Sequence, residues 1–165
     1  SENGLPMVRA LFIEYPDDPG AWLVDDAYLF GSDILVAPLF EAHTTSRQVY
    51  LPRGKWIDYQ SNMVYEGGWH QITAGEIPAV ILVRDGAVIP HIAPAPSTDD
   101  LDWSHIDLVT YSAGKRALTG LFCHPADNRL VPMTLQGSGT HFRLSADPGQ
   151  GKVEWRIIPS AQRNR

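Results

Sequence analysis

Three sets of side chains in this sequence have the types to do chemistry: neighbouring carboxylates, scattered imidazoles and a group of aromatic rings. Asp17 and Asp18 are adjacent in Tyr15-Pro16-Asp17-Asp18-Pro19. Carboxylates this close raise one another's pKa and could divide acid and base roles. Carboxyl pairs in which one attacks and the other protonates the same substrate bond stand about 5 Å apart across it, whereas side chains of adjacent residues diverge. A turn is therefore the plainer reading, with Asp accepting backbone hydrogen bonds and Pro19 fixing the chain. The alternative puts the pair on the rim of an active site. Arg9 and Glu14, five apart on one expected strand, would face opposite sides, and a buried ion pair is the simpler use of Arg9. Asp25 and Asp26 suit the positive end of a short helix, and Asp33 suits a turn before a strand.

The six histidines, His43, His70, His91, His105, His124 and His141, include no i, i+4 pair of the kind that holds a metal on a helix. His91 and His105 flank a Pro-rich stretch, but no partner Cys or acid is evident there. Cys123 is the sole cysteine, so no internal disulfide or thiolate metal site is available. It neighbours His124 on an expected strand, where the two would face opposite sides, and a buried thiol is expected. Trp56, Trp69 and Tyr59 could stack on flat apolar ligand faces such as those of sugars, but packing in a core or at a domain interface is preferred for both tryptophans. Trp103 and Trp155 read as core of a later domain. Gly67-Gly68, Gly137-Ser138-Gly139 and Gly149-Gln150-Gly151 read as turns; none opens an expected helix, so none is a phosphate cradle. From these residues we expect no metal-binding or cofactor-binding residue and no cofactor.

These groups sit in a chain of 165 residues that is 44 % hydrophobic with a formal net charge of -6. That composition supports a packed core. The negative charge, with no basic run, argues against nucleic acid and anionic membrane surfaces as partners. The longest apolar stretches, such as Ile77 to Val83, are far too short to span a membrane. The compartment, cytoplasmic or periplasmic, is left open.

Thirteen Pro and fourteen Gly break the chain into short runs rich in Val, Ile, Leu, Tyr and Trp, the rhythm of an all-β sandwich or barrel. Met7 to Ile13 reads as one buried strand, Asp25 to Phe30 as a short helix, and Asp33 to Pro38 and Gln48 to Leu51 as strands. Pro52-Arg53-Gly54 reads as a turn into the strand Lys55 to Tyr59. Tyr65 to Trp69 reads as a turn into His70 to Thr73. Ala79 to Arg84 and Ala87 to Ile92 would form a hairpin about Asp85-Gly86. Ala93 to Asp100 has linker composition. Beyond it, Ile106 to Tyr111, Leu118 to His124, Leu130 to Gln136, His141 to Ala146 and Lys152 to Pro159 read as the strands of a smaller β domain. A strand as apolar as Met7 to Ile13 needs neighbours on both sides, so the chain reads as the tail of a larger protein.

Several motifs in order resemble the C-terminal third of glycoside hydrolase family 31, the α-glucosidases and α-xylosidases. They are Pro6 to Pro19, Phe30 to Pro38, Val49-Tyr50-Leu51-Pro52-Arg53-Gly54-Lys55-Trp56-Ile57-Asp58-Tyr59, Tyr65-Glu66-Gly67-Gly68, Ile77-Pro78, Val83-Arg84-Asp85-Gly86 and Val88-Ile89-Pro90. Beyond Asp100 the likeness is to the distal β domain of the xylosidase-like branch, through Trp103-Ser104-His105-Ile106-Asp107-Leu108. The resemblance implies a mainly β chain: the last strand of a (β/α)8 barrel with its following turn in residues 1–31, a proximal β-sandwich in 32–93, a linker in 94–100 and a distal small β-sandwich domain in 101–165. It implies an accessory region of a retaining α-glycosidase that hydrolyses α-xylosides or α-glucosides. The two catalytic carboxylates would lie upstream, so the α-linked substrate would meet the barrel rather than this chain. Oligomer contacts of the full-length enzyme are a further role it allows. A stand-alone carbohydrate-binding β module is the alternative.

Overall fold

A computed structural model describes residues 4–123, 129–149, 151 and 153–163. It is mainly β, and the chain divides into two compact units, one ending at Asp85 and the other beginning at Gly86.

In the first unit, β1 (Val8–Arg9), β2 (Tyr28–Phe30), β3 (Ile34–Pro38), β4 (Ser46–Asp58), β5 (Val64–Thr73) and β6 (Ala79–Arg84) form one sheet in the order β1-β2-β3-β6-β4-β5. Every pairing in it is antiparallel. The strands alternate as half-buried strands should: Leu35 and Ala37 of β3, Val49 and Leu51 of β4 and Val80 and Leu82 of β6 point into one core with Trp56 and Ile72. A short helix, α1 (Leu11–Glu14), and a 3-10 helix, Pro19–Leu23, add Leu11 and Ala21 to that core.

In the second unit, β7 (Val88–His91), β8 (His105–Thr110) and β12 (Glu154–Pro159) form one three-stranded sheet, with β8 central and parallel to β12. β9 (Ala117–Cys123), β10 (Leu130–Ser138) and β11 (His141–Leu144) form the other, antiparallel throughout. Val88, Ile106 and Leu108 from the first sheet meet Leu118, Phe122, Met133, Leu135 and Phe142 from the second in a common core. Gly120 lets the two layers close, because a Cβ there would lie 2.3 Å from the Val88 carbonyl oxygen.

The strand rhythm read from the sequence is realised, with local corrections. Met7 to Ile13 is not one buried strand. Only Val8–Arg9 is strand, Met7 and Val8 are 65 % and 53 % exposed, and residues 11–14 coil into α1. The coil is closed by the Tyr15 N–H donating to the Leu11 carbonyl at 2.9 Å, which sends Leu11 inward. Asp25 to Phe30 is not a helix. Tyr28–Phe30 buries only Leu29, the period of a strand, and pairs with β1 and β3. Pro52-Arg53-Gly54 does not end a strand: β4 runs through it, and its register with β5 shifts between Leu51 and Lys55. Tyr65 to Trp69 is strand within β5 rather than a turn. Asp85-Gly86 makes no hairpin, since β6 pairs with β3 and β4 while β7 pairs with β8. Gly86, at φ +97°, bonds through its N–H to the Tyr111 carbonyl at 2.8 Å and so enters the second unit. His124, Lys152 and Gln150 lie outside the described residues.

Candidate functional site

The first unit has a cleft of about 910 Å³ between the segment Glu14 to Pro19 and the β4–β5 ribbon at Tyr50 to Lys55 and Glu66 to Gly68. Asp18 organises its wall. Pro19 opens the 3-10 helix, and the Asp18 Oδ1 caps it by accepting from the Gly20 N–H at 3.0 Å. The same oxygen accepts from the Tyr50 hydroxyl at 2.6 Å. That bond, with burial second, holds the phenol of Tyr50 up at about 12. Gly20 makes room for the ring: a Cβ there would lie 2.2 Å from the Tyr50 Cζ. Asp17 also lines the cleft. Asp17 and Asp18 therefore occupy a capped turn, as the sequence reading preferred, and they also face the cleft.

Beside this wall lies an ion cluster. Arg9 is buried and pairs with Glu14 at 3.1 Å. Arg84 reaches Glu14 at 3.6 Å and Asp33 at 3.8 Å, ion-pair separations longer than a hydrogen bond, and lies over the rings of Tyr15 and Trp56. Parity on one strand would have parted Arg9 from Glu14; the helical turn between them brings them together. Burial foremost pushes the Tyr15 phenol above its ordinary value. Asp26 pairs with Arg47, whose guanidinium also donates to the Pro38 carbonyl at 2.7 Å. Asp25 is exposed.

The aromatic candidates divide. Trp56 is 1 % exposed and donates its indole N–H to the Pro52 carbonyl at 2.9 Å, so it is core. Trp69 is 55 % exposed, so of the expected core or domain-interface packing the core half is not realised. It stands directly opposite Tyr50 in the β4–β5 register, with ring centroids 5.3 Å apart. β5 is the edge strand, which leaves this side open. Tyr59 is half-buried. Trp155 packs edge-on to Phe122 at 5.0 Å and bonds to Asp147, as a core-facing ring should. Trp103 lies largely at the surface. Trp22, which the sequence reading passed over, is exposed and stacked on Phe12 at 4.6 Å.

In the second unit His105 is held between two carboxylates, Asp102 at 2.8 Å on Nδ1 and Glu154 at 3.1 Å on Nε2. The bond to Asp102 dominates and raises the imidazole above its ordinary value, while Ser104 and His105 together hold Asp102 down at about 2. The Ser104 hydroxyl lies 2.8 Å from the same Nδ1. A nucleophile–base–acid relay needs its serine and acid on opposite ring nitrogens, so this cluster is a clasp between β8 and β12 rather than a catalytic triad. Both nitrogens are engaged, leaving no lone pair for a metal. Among the described residues no group of three His, Cys, Asp or Glu could hold a metal ion, and no helix is long and apolar enough to cross a membrane. His70 contacts the Glu66 carbonyl at 2.6 Å. His91 is half-buried, and burial pushes it below its ordinary value. His43 and His141 are exposed. Cys123 is exposed on β9 rather than buried, because the inward positions of that strand belong to Leu118 and Phe122.

Comparison with known proteins places these elements. Residues 4–89 match the glycosyl hydrolase family 31 C-terminal domain. Over 89 residues the chain is 37 % identical to alpha-glucosidase 2 of Bacillus thermoamyloliquefaciens, covering 53 % of this chain and 11 % of that protein. Over 97 residues it is 36 % identical to an alpha-xylosidase of Emericella nidulans, covering 53 % of this chain and 12 % of that protein. The family 31 dextranase of Flavobacterium johnsoniae, solved with glucose, superposes with a TM-score of 0.73 and 25 % identity over 86 % of this chain and 19 % of that one. The chain thus spans about an eighth of the length of these curated relatives.

Proposed function

Because this chain belongs to glycoside hydrolase family 31, we propose that it is the C-terminal accessory region of a retaining α-glycosidase acting on α-xylosides or α-glucosides. The carrying observation is the match of residues 4–89 to the family's C-terminal domain. Relatives named for α-glucoside and α-xyloside hydrolysis supply the two substrate classes.

Retaining hydrolysis needs a nucleophile and an acid/base about 5 Å apart with the sugar between them. The carboxylates that this chain gathers are engaged otherwise. Glu14 and Asp33 share Arg84, and Asp102 and Glu154 share His105. Asp17 and Asp18 are adjacent on one capped turn and do not face each other across a sugar, so on this reading the catalytic pair belongs to another part of the parent enzyme, and this chain braces that part with its β framework. No residue here is assigned a catalytic, cofactor or metal role.

The test is release of p-nitrophenol from p-nitrophenyl α-xyloside and α-glucoside. The 165-residue chain is expected to give none above buffer, and the parent enzyme to give turnover with retention at the anomeric carbon. Robust turnover by the chain alone, or inversion by the parent, would overturn the reading.

A further inference from the structure

We propose that the cleft between Glu14 to Pro19 and the β4–β5 ribbon is a binding subsite for a neutral oligosaccharide, with Trp69 as its stacking platform and Asp17 and Asp18 as acceptors for sugar hydroxyls. Its volume of about 910 Å³ is within the range of small-molecule sites. Trp69 flanks the cleft, next to the lining Gly68 and across β4–β5 from the lining Tyr50. Tyr50 is pinned by its bond to Asp18, and Trp69 stands opposite it with more than half of its surface open. An open indole face beside a fixed second ring is a rigid, amphipathic surface that costs little entropy to use.

The polar groups of the cleft are left ready for a ligand. Asp18 spends only Oδ1 on the fold; its Oδ2 receives no hydrogen bond among the described residues. Neither Asp17 nor Arg53, both lining the cleft, has a side-chain partner among the described residues, and the Trp69 indole N–H is equally unused. The remaining charges are neutralised locally, Lys55 with Glu66 and Glu14 with Arg9. Two unpaired carboxylates against one guanidinium disfavour a phosphate or an acidic sugar. Two acceptors and two donors around an aromatic face suit vicinal hydroxyls on a sugar ring. Choosing a sugar as the ligand class rests on the α-glycosidase reading of the parent.

The test titrates the 165-residue chain with maltotriose and with isomaltotriose, by calorimetry and by NMR of the amide and indole N–H groups. Saturable binding to at least one of them is expected, with shifts at the Trp69 indole and at residues 66–69. Trp69→Ala should weaken it roughly tenfold and Asp17→Asn about threefold. Both side chains are exposed, so the fold should survive, as circular dichroism would verify. Trp103→Ala, which removes an exposed ring of the second unit, should leave affinity unchanged. Absence of binding by either saccharide, binding indifferent to Trp69→Ala and Asp17→Asn, or loss in Trp103→Ala instead, would each overturn the subsite. A silent cleft leaves the parent's turnover of p-nitrophenyl glycosides untouched, and a parent without turnover leaves a measured saccharide affinity standing, so the two readings fail separately.

Discussion

His105 carries the clearest pH dependence at the level of single residues. Its raised folded-state pKa, from Asp102 first and Glu154 after, means that its contribution to stability is complete below the ordinary value of 6.5 and is lost as pH rises through the raised value. Asp102 has the opposite sign: held down at about 2, it contributes above its ordinary 3.8 and loses that contribution as pH falls through about 2. The clasp on β8 and β12 is therefore strongest between those limits. Both groups are exposed and screened, so the effect is modest. The thermal midpoint lost in His105→Gln should be larger at about pH 5 than at about pH 9; an equal loss at both would show the clasp to be idle. The sequence showed His105 near a linker and in a motif but not its partnership, because Glu154 lies far along the chain and arrives through the parallel pairing of β12 with β8. The buried ion pair expected of Arg9 is present, but the opposite-face reading of Arg9 and Glu14 failed for the reverse reason: they are close in sequence, and a helical turn replaces the strand on which their parity was counted.

At the scale of elements, the segment from β1 to β2 is where local signals were weakest. Asp18-Pro19 is a helix-start signal, and a 3-10 helix begins there. The acids at Asp25 and Asp26 gave a similar signal and were overruled. Leu29 fills the core between β1 and β3, and that tertiary demand makes residues 28–30 a strand. The continuity of β4 through Pro52-Arg53-Gly54 was hidden likewise, since a Pro and a Gly read as a turn even where the bulged register accommodates both. The Asp18 cap permits a direct check. Asp18→Ala should cost about 1 kcal/mol in urea unfolding, and the Tyr50 phenol should fall from about 12 toward its ordinary 10.0. Both should move together, because one oxygen serves both bonds. A stability loss with an unmoved Tyr50 titration would mean that the hydroxyl is anchored elsewhere.

For the whole molecule, the lesson is that a linker-like composition and the edge of a core are different signals. Pro-rich residues 94–100 attract attention because they cannot pack, and the motifs around them made the broad β architecture and the family legible. The core itself begins earlier. Val88 is buried among Ile106, Leu108 and Leu118, and β7 completes a sheet by pairing with β8. The N–H of Tyr111 donates to the Ala87 carbonyl at 3.0 Å, and that of Thr119 to the Gly86 carbonyl at 2.9 Å. Cutting the chain after residue 93 would therefore strip an edge strand, a core valine and these bonds from what remains. A piece spanning residues 86–165 should fold with a cooperative urea transition. A piece spanning 94–165 should be less stable by at least about 3 kcal/mol, since emptying a buried aliphatic site alone costs about 2 kcal/mol and the unpaired groups of β8 add to it. Equal midpoints for the two pieces would mean that β7 contributes nothing to the second unit, and that its core starts where the proline-rich segment ends.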